Sequence, residues 1–266
     1  MLALVTNDDG LDSPGLLALA GAARASGLDV VVAAPVEEAS GSSASITATE
    51  ASAVTAAGGQ GSIRVERRTL PGMEVPAFAV YAAPALIVLL AAHRAFSDGP
   101  PDLVLSGINR GANVGRAILH SGTVGAALTG GLNGARGLAV SLATDHTDAA
   151  AHWSSAAAVT SRVLPALLAS SSGTVLNVNV PNTPRADGLT ITSAPLAPFG
   201  IVHTTMVEAG SNHVHLILAD TPEEHEAHTD AALLGAGVAT VTSITGIGER
   251  GSNLDTVVNP ENADAG

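Results

Sequence analysis

The sequence contains neither cysteine nor lysine, and both absences exclude whole classes of chemistry. Without cysteine the chain cannot form disulfides, use a thiolate nucleophile or hold zinc through sulfur. All eleven basic residues are arginine, which excludes a Schiff-base lysine, a Walker lysine and a lysine general base. Aromatic residues make up only 2% of the 266 residues, so the core must be built from Ala, Val, Leu and Ile.

Positive charge is also scarce, and the formal net charge is −13. Such a chain lacks the clustered Lys and Arg that bind a nucleic-acid duplex. No basic segment precedes the first apolar run, so we expect a cytoplasmic, soluble protein. The one stretch that resembles a membrane span, residues 76–92, is slightly short and contains Pro76 and Pro84. It favours a buried strand followed by a buried helix that begins near Pro84, with no membrane partner.

Short apolar strands alternate with helices over the first two thirds of the chain. Buried strands are predicted at residues 2–6, 29–34, 103–106, 138–142 and 174–180. Helices are predicted at residues 14–25, 84–96, 121–133 and 148–170. This alternation predicts an α/β fold with an open, mostly parallel sheet and right-handed crossovers. Residues 62–70 predict an antiparallel strand, either at an edge of the sheet or in a hairpin.

The alternation stops after Pro184. We therefore predict one domain over residues 1–247, with an α/β core at 1–184 that carries the active site. Residues 185–247 form a smaller antiparallel extension or oligomerisation arm, with strand-like pieces at 213–218 and 238–243. The tail at 248–266 is rich in Gly, Asn, Asp and Pro and is expected to be disordered.

Two adjacent carboxylates, Asp8 and Asp9, follow the first predicted strand within the run Asn7-Asp8-Asp9-Gly10. Like charges a few ångströms apart resist joint ionisation, and a shared divalent cation removes that conflict. A plain turn would also explain this tetrapeptide, because Asn, Asp and Gly all favour turns.

Two further polar loops follow the second and third predicted strands. They contain Ser40, Gly41 and Ser42, and then Ser106, Gly107 and Asn109. The carboxyl ends of parallel strands meet at one edge of a sheet, so these loops should converge with Asp8 and Asp9. An all-oxygen set of carboxylate, hydroxyl and amide ligands suits magnesium, manganese or calcium better than zinc.

A candidate anion site is present at Ser121-Gly122-Thr123, where a helix is predicted to begin. Free N–H groups and the helix dipole favour phosphate there, although a simple N-cap is the alternative. His120 could protonate a leaving alkoxide or be structural, and Arg110 could clamp phosphate or form a surface ion pair.

These blocks resemble the SurE family in order and spacing. The matching segments are Thr6-Asn7-Asp8-Asp9-Gly10 with Pro14-Gly15, Ala34-Pro35 with Ser40-Gly41, Ser106-Gly107-Ile108-Asn109 with Asn113 and Gly115, and Ser121-Gly122-Thr123-Val124. Residues 176–181, 229–230 and 238–242 extend the likeness to nearly the whole chain.

The resemblance implies a metal-dependent nucleotidase or acid phosphatase with a Rossmann-like, three-layer fold and a C-terminal arm exchanged within a homodimer or homotetramer. It implies one divalent ion per subunit, Mg²⁺ or Mn²⁺ with Ca²⁺ as a possible substitute, held by Asp8, Asp9, Ser40 and Asn109. We expect Asp8 or Asp9 to orient or deprotonate the attacking water. The residues expected to bind a nucleotide-like phosphomonoester are Asn7, Gly41, Ser42, Ser106, Gly107, Asn113, Ser121, Gly122 and Thr123.

The chain departs from the family pattern around this site. Glu37 and Glu38 stand where basic and polar residues are common, and Leu86 lies where a polar residue is usual. His120 replaces a usual Tyr, and Thr129 a usual Glu. A phosphatase for another phosphorylated metabolite, or a metal-binding homologue without turnover, therefore remains an alternative to a nucleotidase.

Overall fold

A computed structural model describes residues 1–48, 61–144, 150–184, 188–198, 202–209, 214–220 and 226–246. Its helices are α1 Pro14–Ala25, α2 Pro84–Ala92, α3 Gly122–Leu132, α4 Trp153–Ala169 and α5 Asp230–Gly235, with a 3-10 helix at Gly115–His120. Its strands are β1 Leu2–Thr6, β2 Asp29–Pro35, β3 Val65–Leu70, β4 Met73–Val80, β5 Leu103–Arg110, β6 Arg136–Ala143, β7 Val175–Pro181, β8 Ile191–Ser193, β9 Val202–Ala209, β10 Val214–Asp220 and β11 Ala239–Ile244.

Nine of these strands form one sheet in the order β3-β4-β2-β1-β5-β6-β7-β11-β8. Strands β4, β2, β1, β5, β6 and β7 run parallel, whereas β3 and β11 pair antiparallel with β4 and β7. The predicted α/β fold, mostly parallel with an antiparallel C-terminal extension, is confirmed. From β1 the chain crosses to β2 on one side, and from β4 it returns to β5 on the other. The carboxyl end of β1 is therefore a topological switch point, where open α/β sheets bind ligands.

Helices cover both faces of the sheet, which explains why its central strands are apolar throughout. Side chains alternate between the two faces with a period of two. Val5 packs in the same buried cluster as Leu16 of α1 and Leu164 of α4. Its neighbour Leu4 packs with Ile87 of α2 and Ala126 of α3 on the opposite face. The result is the predicted three-layer arrangement.

Several element boundaries differ from those predicted. Strand β5 continues to Arg110 instead of ending at residue 106, with an irregularity in its pairing to β6. Glycine at 107 makes this possible: its φ is +128°, and a Cβ there would lie 2.3 Å from the Val140 carbonyl oxygen. Helix α2 ends at Ala92, just before Arg94 adopts a φ of 65°. Helix α4 begins at Trp153, and residues 145–149 lie outside the described part of the chain.

The C-terminal region contributes two separate pieces. Strands β9 and β10 form an antiparallel pair of their own, and β11 extends the main sheet beside β7. The pieces predicted at 213–218 and 238–243 correspond to β10 and β11, although residue 213 is outside the described range, as is the tail predicted at 248–266. None of the described helices is long and apolar enough to cross a membrane.

Candidate active site at the switch point

Asp8 is held in one orientation at the end of β1. The backbone N–H of Thr123 donates to its Oδ2 at 3.0 Å, and the Thr123 hydroxyl donates to Oδ1. Asp8 is only 4% exposed, and this burial raises the pKa of its carboxyl, while the hydrogen bonds from Thr123 oppose the rise. Strand β1 and helix α3 are thus joined through one buried carboxylate.

Asp9 is less constrained than Asp8. Its one described hydrogen bond comes from the backbone N–H of Arg110, 3.4 Å from Oδ2. Burial raises the pKa of Asp9 from 3.8 to about 6, and repulsion from Asp8 adds to the rise. Two neighbouring carboxylates that both resist ionisation form a site to which a cation would bind favourably.

The loop after β2 lies against the Asp8 backbone. The N–H of Ala39 donates to the Asp8 carbonyl at 2.7 Å, and the Ser40 hydroxyl donates to Oε1 of Glu38 at 2.7 Å. Donation leaves the lone pairs of the Ser40 oxygen available to another partner. Gly41, at a φ of +75°, is exposed and turns the chain toward Ser42.

This loop also packs closely on the start of α3. A Cβ at Gly122 would lie 2.5 Å from Oγ of Ser42 and 2.8 Å from Oδ2 of Asp8. The Ser43 hydroxyl donates to the Leu119 carbonyl at 2.6 Å. Glycine at 122 therefore allows loop, helix and carboxylate to meet without a side chain between them.

Four buried oxygen atoms around this point have no hydrogen-bond partner among the described residues. They are Oγ1 of Thr6, Oδ1 of Asn7, Oγ of Ser42 and Oγ of Ser106. Buried polar atoms are almost always paired, so an unpaired group needs an explanation, such as a ligand or an ion. Nearby, the Asn109 amide nitrogen donates to the Gly111 carbonyl at 2.8 Å, which fixes the side chain while its Oδ1 stays available.

Other predicted residues have partners away from the proposed phosphate, or lie exposed. Ser121 is the N-cap of α3 and accepts from the Val124 N–H at 3.1 Å, which matches the simpler alternative stated for it. Thr123 directs both of its donors to Asp8. His120 is exposed, and the guanidinium of Arg110 lies 5.4 Å from the centre of the Trp153 ring.

Asn113 is part of a buried amide network that sequence reasoning missed. Its N–H donates to Oδ1 of Asn179 at 2.8 Å, and its amide nitrogen donates to Ser141 at 2.9 Å. Its carbonyl accepts from the side chains of Asn177 and Asn179. A signal was present, because Asn177 and Asn179 are two apart on β7 and so face the same side of the sheet.

Asp230 is a second missed residue. It is fully buried at the start of α5, and its carboxylate accepts the backbone N–H groups of Gly115, Ala197 and Ala231, each at 2.8 Å. It ties the C-terminal segment to the glycine-rich turn after β5. No sequence pattern indicated which distant segment it would reach.

The donor set suits a hard cation. Among the described residues, no three His, Cys, Asp or Glu side chains are grouped to hold a metal, so carboxylates alone do not complete a site. Asp8 and Asp9 need the hydroxyl and amide oxygens around them, and such an oxygen set matches Mg²⁺, Mn²⁺ or Ca²⁺. The paired carboxylates and the unpartnered oxygens fit the predicted ion.

Sequence and structure comparisons identify the family. The family described as Survival protein SurE matches residues 3–198. The chain belongs to the SurE family. It is 36% identical to 5'-nucleotidase SurE 1 of Burkholderia lata, covering 91% of this chain and 89% of that one. It is 35% identical to 5'-nucleotidase SurE of Moorella thermoacetica, covering 92% and 90%.

A solved SurE structure shares the fold. The crystal structure of SurE protein from Aquifex aeolicus superposes with a TM-score of 0.72 at 26% identity, over 99% of this chain and all of that one. The predicted family membership is confirmed. The predicted enzyme class is confirmed with it, because the SurE relatives are named as 5'-nucleotidases, which are phosphoric monoester hydrolases.

Proposed function

We propose that this SurE-family chain is a divalent-metal-dependent phosphomonoesterase, a 5'(3')-nucleotidase that hydrolyses nucleoside monophosphates to nucleoside and phosphate. The observation that carries the proposal is the pair of buried Asp8 and half-buried Asp9, with both pKa values raised, at the switch point of the sheet. The names of the SurE relatives supply the substrate class.

Asp8, Asp9, Ser40 and Asn109 would hold one Mg²⁺ or Mn²⁺ ion, and Ca²⁺ could occupy the same oxygen set. When bound, such an ion lowers the pKa of a coordinated water and polarises phosphoryl oxygens. Two features of the chain support this. A nearby positive charge would stabilise the ionised form of the carboxylates, and the Asn109 side chain is already fixed by its hydrogen bond to the Gly111 carbonyl.

The two carboxylates would have different roles in the reaction. Both oxygens of Asp8 accept hydrogen bonds from Thr123, so Asp8 is an oriented, fixed charge. Asp9 accepts one long hydrogen bond, at 3.4 Å from the Arg110 N–H, and is only half-buried, which suits the group that orients the attacking water and accepts its proton. Thr123 therefore acts on Asp8 as a positioning residue.

The phosphate would lie between the loop after β2 (residues 39–45), strand β1 and the start of α3. The hydroxyls of Ser42 and Ser106 have no partner among the described residues and can donate to phosphate oxygens. Gly122 lets the start of α3 approach Ser42 and Asp8 closely, and Gly41 and Gly107 shape the chain beside them at φ values of +75° and +128°. Asn113 would act indirectly, by holding the turn that follows Asn109 in place.

The remaining expectations concern assembly and boundaries. We propose a homodimer or homotetramer in which residues 185–247 form the oligomerisation arm, and residues 1–184 form the core that carries the site. The β9–β10 pair supports this, because it stands apart from the nine-stranded sheet among the described strands. Size-exclusion chromatography with light scattering would test the assembly, and a monomer would contradict it. The cytoplasmic location stays a prediction.

The activity is tested by release of inorganic phosphate from p-nitrophenyl phosphate and from 5'- and 3'-nucleoside monophosphates. Each assay is run with Mg²⁺, Mn²⁺ or Ca²⁺ and with a chelator. We expect turnover with Mg²⁺ or Mn²⁺ and none with the chelator. Full activity in chelator would contradict the metal requirement, and no turnover of any ester with metal present would contradict the enzyme itself.

A further inference from the structure

A cavity of about 350 Å³ adjoins the candidate active site, in the size range of small-ligand pockets. It lies between the loop after β2 and the end of β4. Its wall is formed by Pro35, Val36, Glu37, Glu38, Ala39, Ser42, Thr47, Val80, Tyr81, Ala82 and Ala83. Ala39 and Ser42 belong to the loop that packs on Asp8 and Gly122, so cavity and site share a wall.

The charge of this cavity is negative. Glu37 and Glu38 are its carboxylates, and no Arg or His is among the described residues that line it. Residues 49–60, outside the described part of the chain, contain no basic residue in their sequence. The guanidinium of Arg64 lies over the Tyr81 ring, 4.6 Å from its centre, but pairs with Glu66 at 2.6 Å and is not part of the wall.

Two observations connect the cavity to a bound substrate. Ser42 lines it, and the Ser42 hydroxyl oxygen is buried beside Gly122 and Asp8 with no hydrogen-bond partner among the described residues. Glu38 is joined to the reacting centre through Ser40, whose hydroxyl donates to Oε1 of Glu38 at 2.7 Å. A phosphate held beside Asp8 would therefore have its ester oxygen within reach of this space.

We propose that the cavity receives the alcohol part of the phosphomonoester, and that Glu37 and Glu38 select alcohols that are neutral or cationic and reject those that carry a second anionic group. The proposal rests on the proposed phosphomonoesterase function. Carboxylates accept hydrogen bonds from hydroxyl and ammonium groups but repel a carboxylate or a second phosphate. The preferred substrate class is then a hydroxyl-rich or amine-bearing alcohol esterified to a single phosphate.

The test compares three phosphomonoesters of similar size. Glycerol 3-phosphate has a neutral alcohol, 3-phosphoglycerate an anionic one and phosphocholine a cationic one. We expect kcat/KM to fall in the order phosphocholine, glycerol 3-phosphate, 3-phosphoglycerate. The double variant Glu37→Gln, Glu38→Gln should reduce the preference for glycerol 3-phosphate over 3-phosphoglycerate by about tenfold, the scale of two partly screened charges within several ångströms.

The readout is a ratio because Glu38 accepts a hydrogen bond from Ser40, a proposed ligand of the ion, and an effect on the shared chemical step cancels between substrates. The amide oxygen of Gln can still accept the hydrogen bond from Ser40. Glu74→Gln is the matched control: this exposed residue starts β4, roughly 20 Å along the strand from Val80 at a rise of about 3.3 Å per residue, and it should leave the ratio unchanged.

The outcomes separate the two proposals. An unchanged ratio in the Glu37 and Glu38 variant, with phosphate still released, overturns the selectivity and leaves the phosphomonoesterase intact. A wild-type enzyme that prefers 3-phosphoglycerate over glycerol 3-phosphate would also overturn the selectivity and leave the phosphomonoesterase intact. Failure to release phosphate from any ester overturns the proposed function and the selectivity together. A ratio that shrinks equally in Glu74→Gln would show that overall charge, and not the cavity, is responsible.

Discussion

The carboxyl ends of β1 and β7 lie along the same edge of the sheet, and both contain buried polar groups. Those at β7 are largely hydrogen-bonded to one another, whereas several of those at β1 are unpaired within the described part of the chain. At β7, Asn113, Ser141, Asn177 and Asn179 satisfy one another through four hydrogen bonds of 2.8 to 2.9 Å. Two oxygens lack a partner there among the described residues, Oδ1 of Asn177 and, opposite Asn179 on β11, Oγ1 of Thr240. At β1, two neighbouring carboxylates repel each other, and four neighbouring oxygens are unpartnered.

This difference distinguishes a structural group of residues at β7 from a candidate catalytic group at β1. Amides carry both donors and acceptors, so a set of them can be complete without a ligand. Ionised carboxylates only accept, and each resists the other's ionisation, so the β1 end is complete only with a positive charge or a proton. We therefore expect changes at β1 to affect activity more than stability, and changes at β7 to do the reverse.

The largest effect is expected from Asp8→Asn combined with Asp9→Asn. Phosphate release should fall by about 10³-fold or more, because the variant removes the charges that hold the ion and orient the water. The free energy of unfolding without metal should not decrease, since both carboxylates resist ionisation when buried. Enzyme assays and urea unfolding measure the two quantities. Undiminished activity would refute the site.

Gly122→Ala should cause the next largest loss. The new Cβ would lie 2.5 Å from Ser42 Oγ and 2.8 Å from Asp8 Oδ2, so loop and carboxylate must separate. We expect activity to fall by roughly 10²-fold, as for other small misplacements of catalytic groups. The matched control is Gly21→Ala in α1, where nothing lies within 4 Å and stability should rise by about 0.5–1 kcal/mol. Equal activity in both variants would show that the close approach is unimportant.

Asn179→Ala, at β7, should affect stability more than activity, the reverse of the result expected at β1. It leaves the half-buried N–H of Asn113 without its acceptor and should lower the free energy of unfolding by about 2 kcal/mol, the middle of the range for such a loss. Activity at low temperature should fall by no more than about tenfold, given that Asn113 acts indirectly. Asn133→Ala, at the exposed end of α3, is the control, with a change within about 0.5 kcal/mol. Unchanged stability in Asn179→Ala would contradict the proposed difference between β7 and β1.

The pH dependence of stability should be the smallest effect and specific to β1. The Asp9 pKa is raised from 3.8 to about 6 on folding, so the folded protein binds the proton more tightly than the unfolded chain. Stability without metal should therefore be highest below about pH 4 for this group and decline as the pH rises to about 6, by on the order of 2 kcal/mol. Urea unfolding in chelator, compared with Asp9→Asn, isolates the change. An identical slope in that variant would contradict the assignment.

Sequence patterns predicted the sheet, and they predicted that the loops after β1, β2 and β5 converge, because both depend on local signals. Apolar runs marked the central strands, and the polar groups after β1, β2 and β5 marked the edge where ligands bind. The partners across the fold could not be predicted. Thr123 was expected to bind phosphate but donates to Asp8, and Asn113 is held by β7. Such pairings depend on which side chains the packing of α3 and β7 brings together, and a linear pattern does not contain this information.

The hydrogen bonds between Asp8 and Thr123 join residues 115 positions apart. Contacts with so large a sequence separation form slowly, because a long loop must close before they contribute. During synthesis at about 5–20 residues per second, Asp8 would wait roughly 6–23 seconds for its partner to be made. A nascent chain can thus form β1 and α1 early, but it cannot fix its first carboxylate until α3 has been made, which places assembly of the active site late in folding.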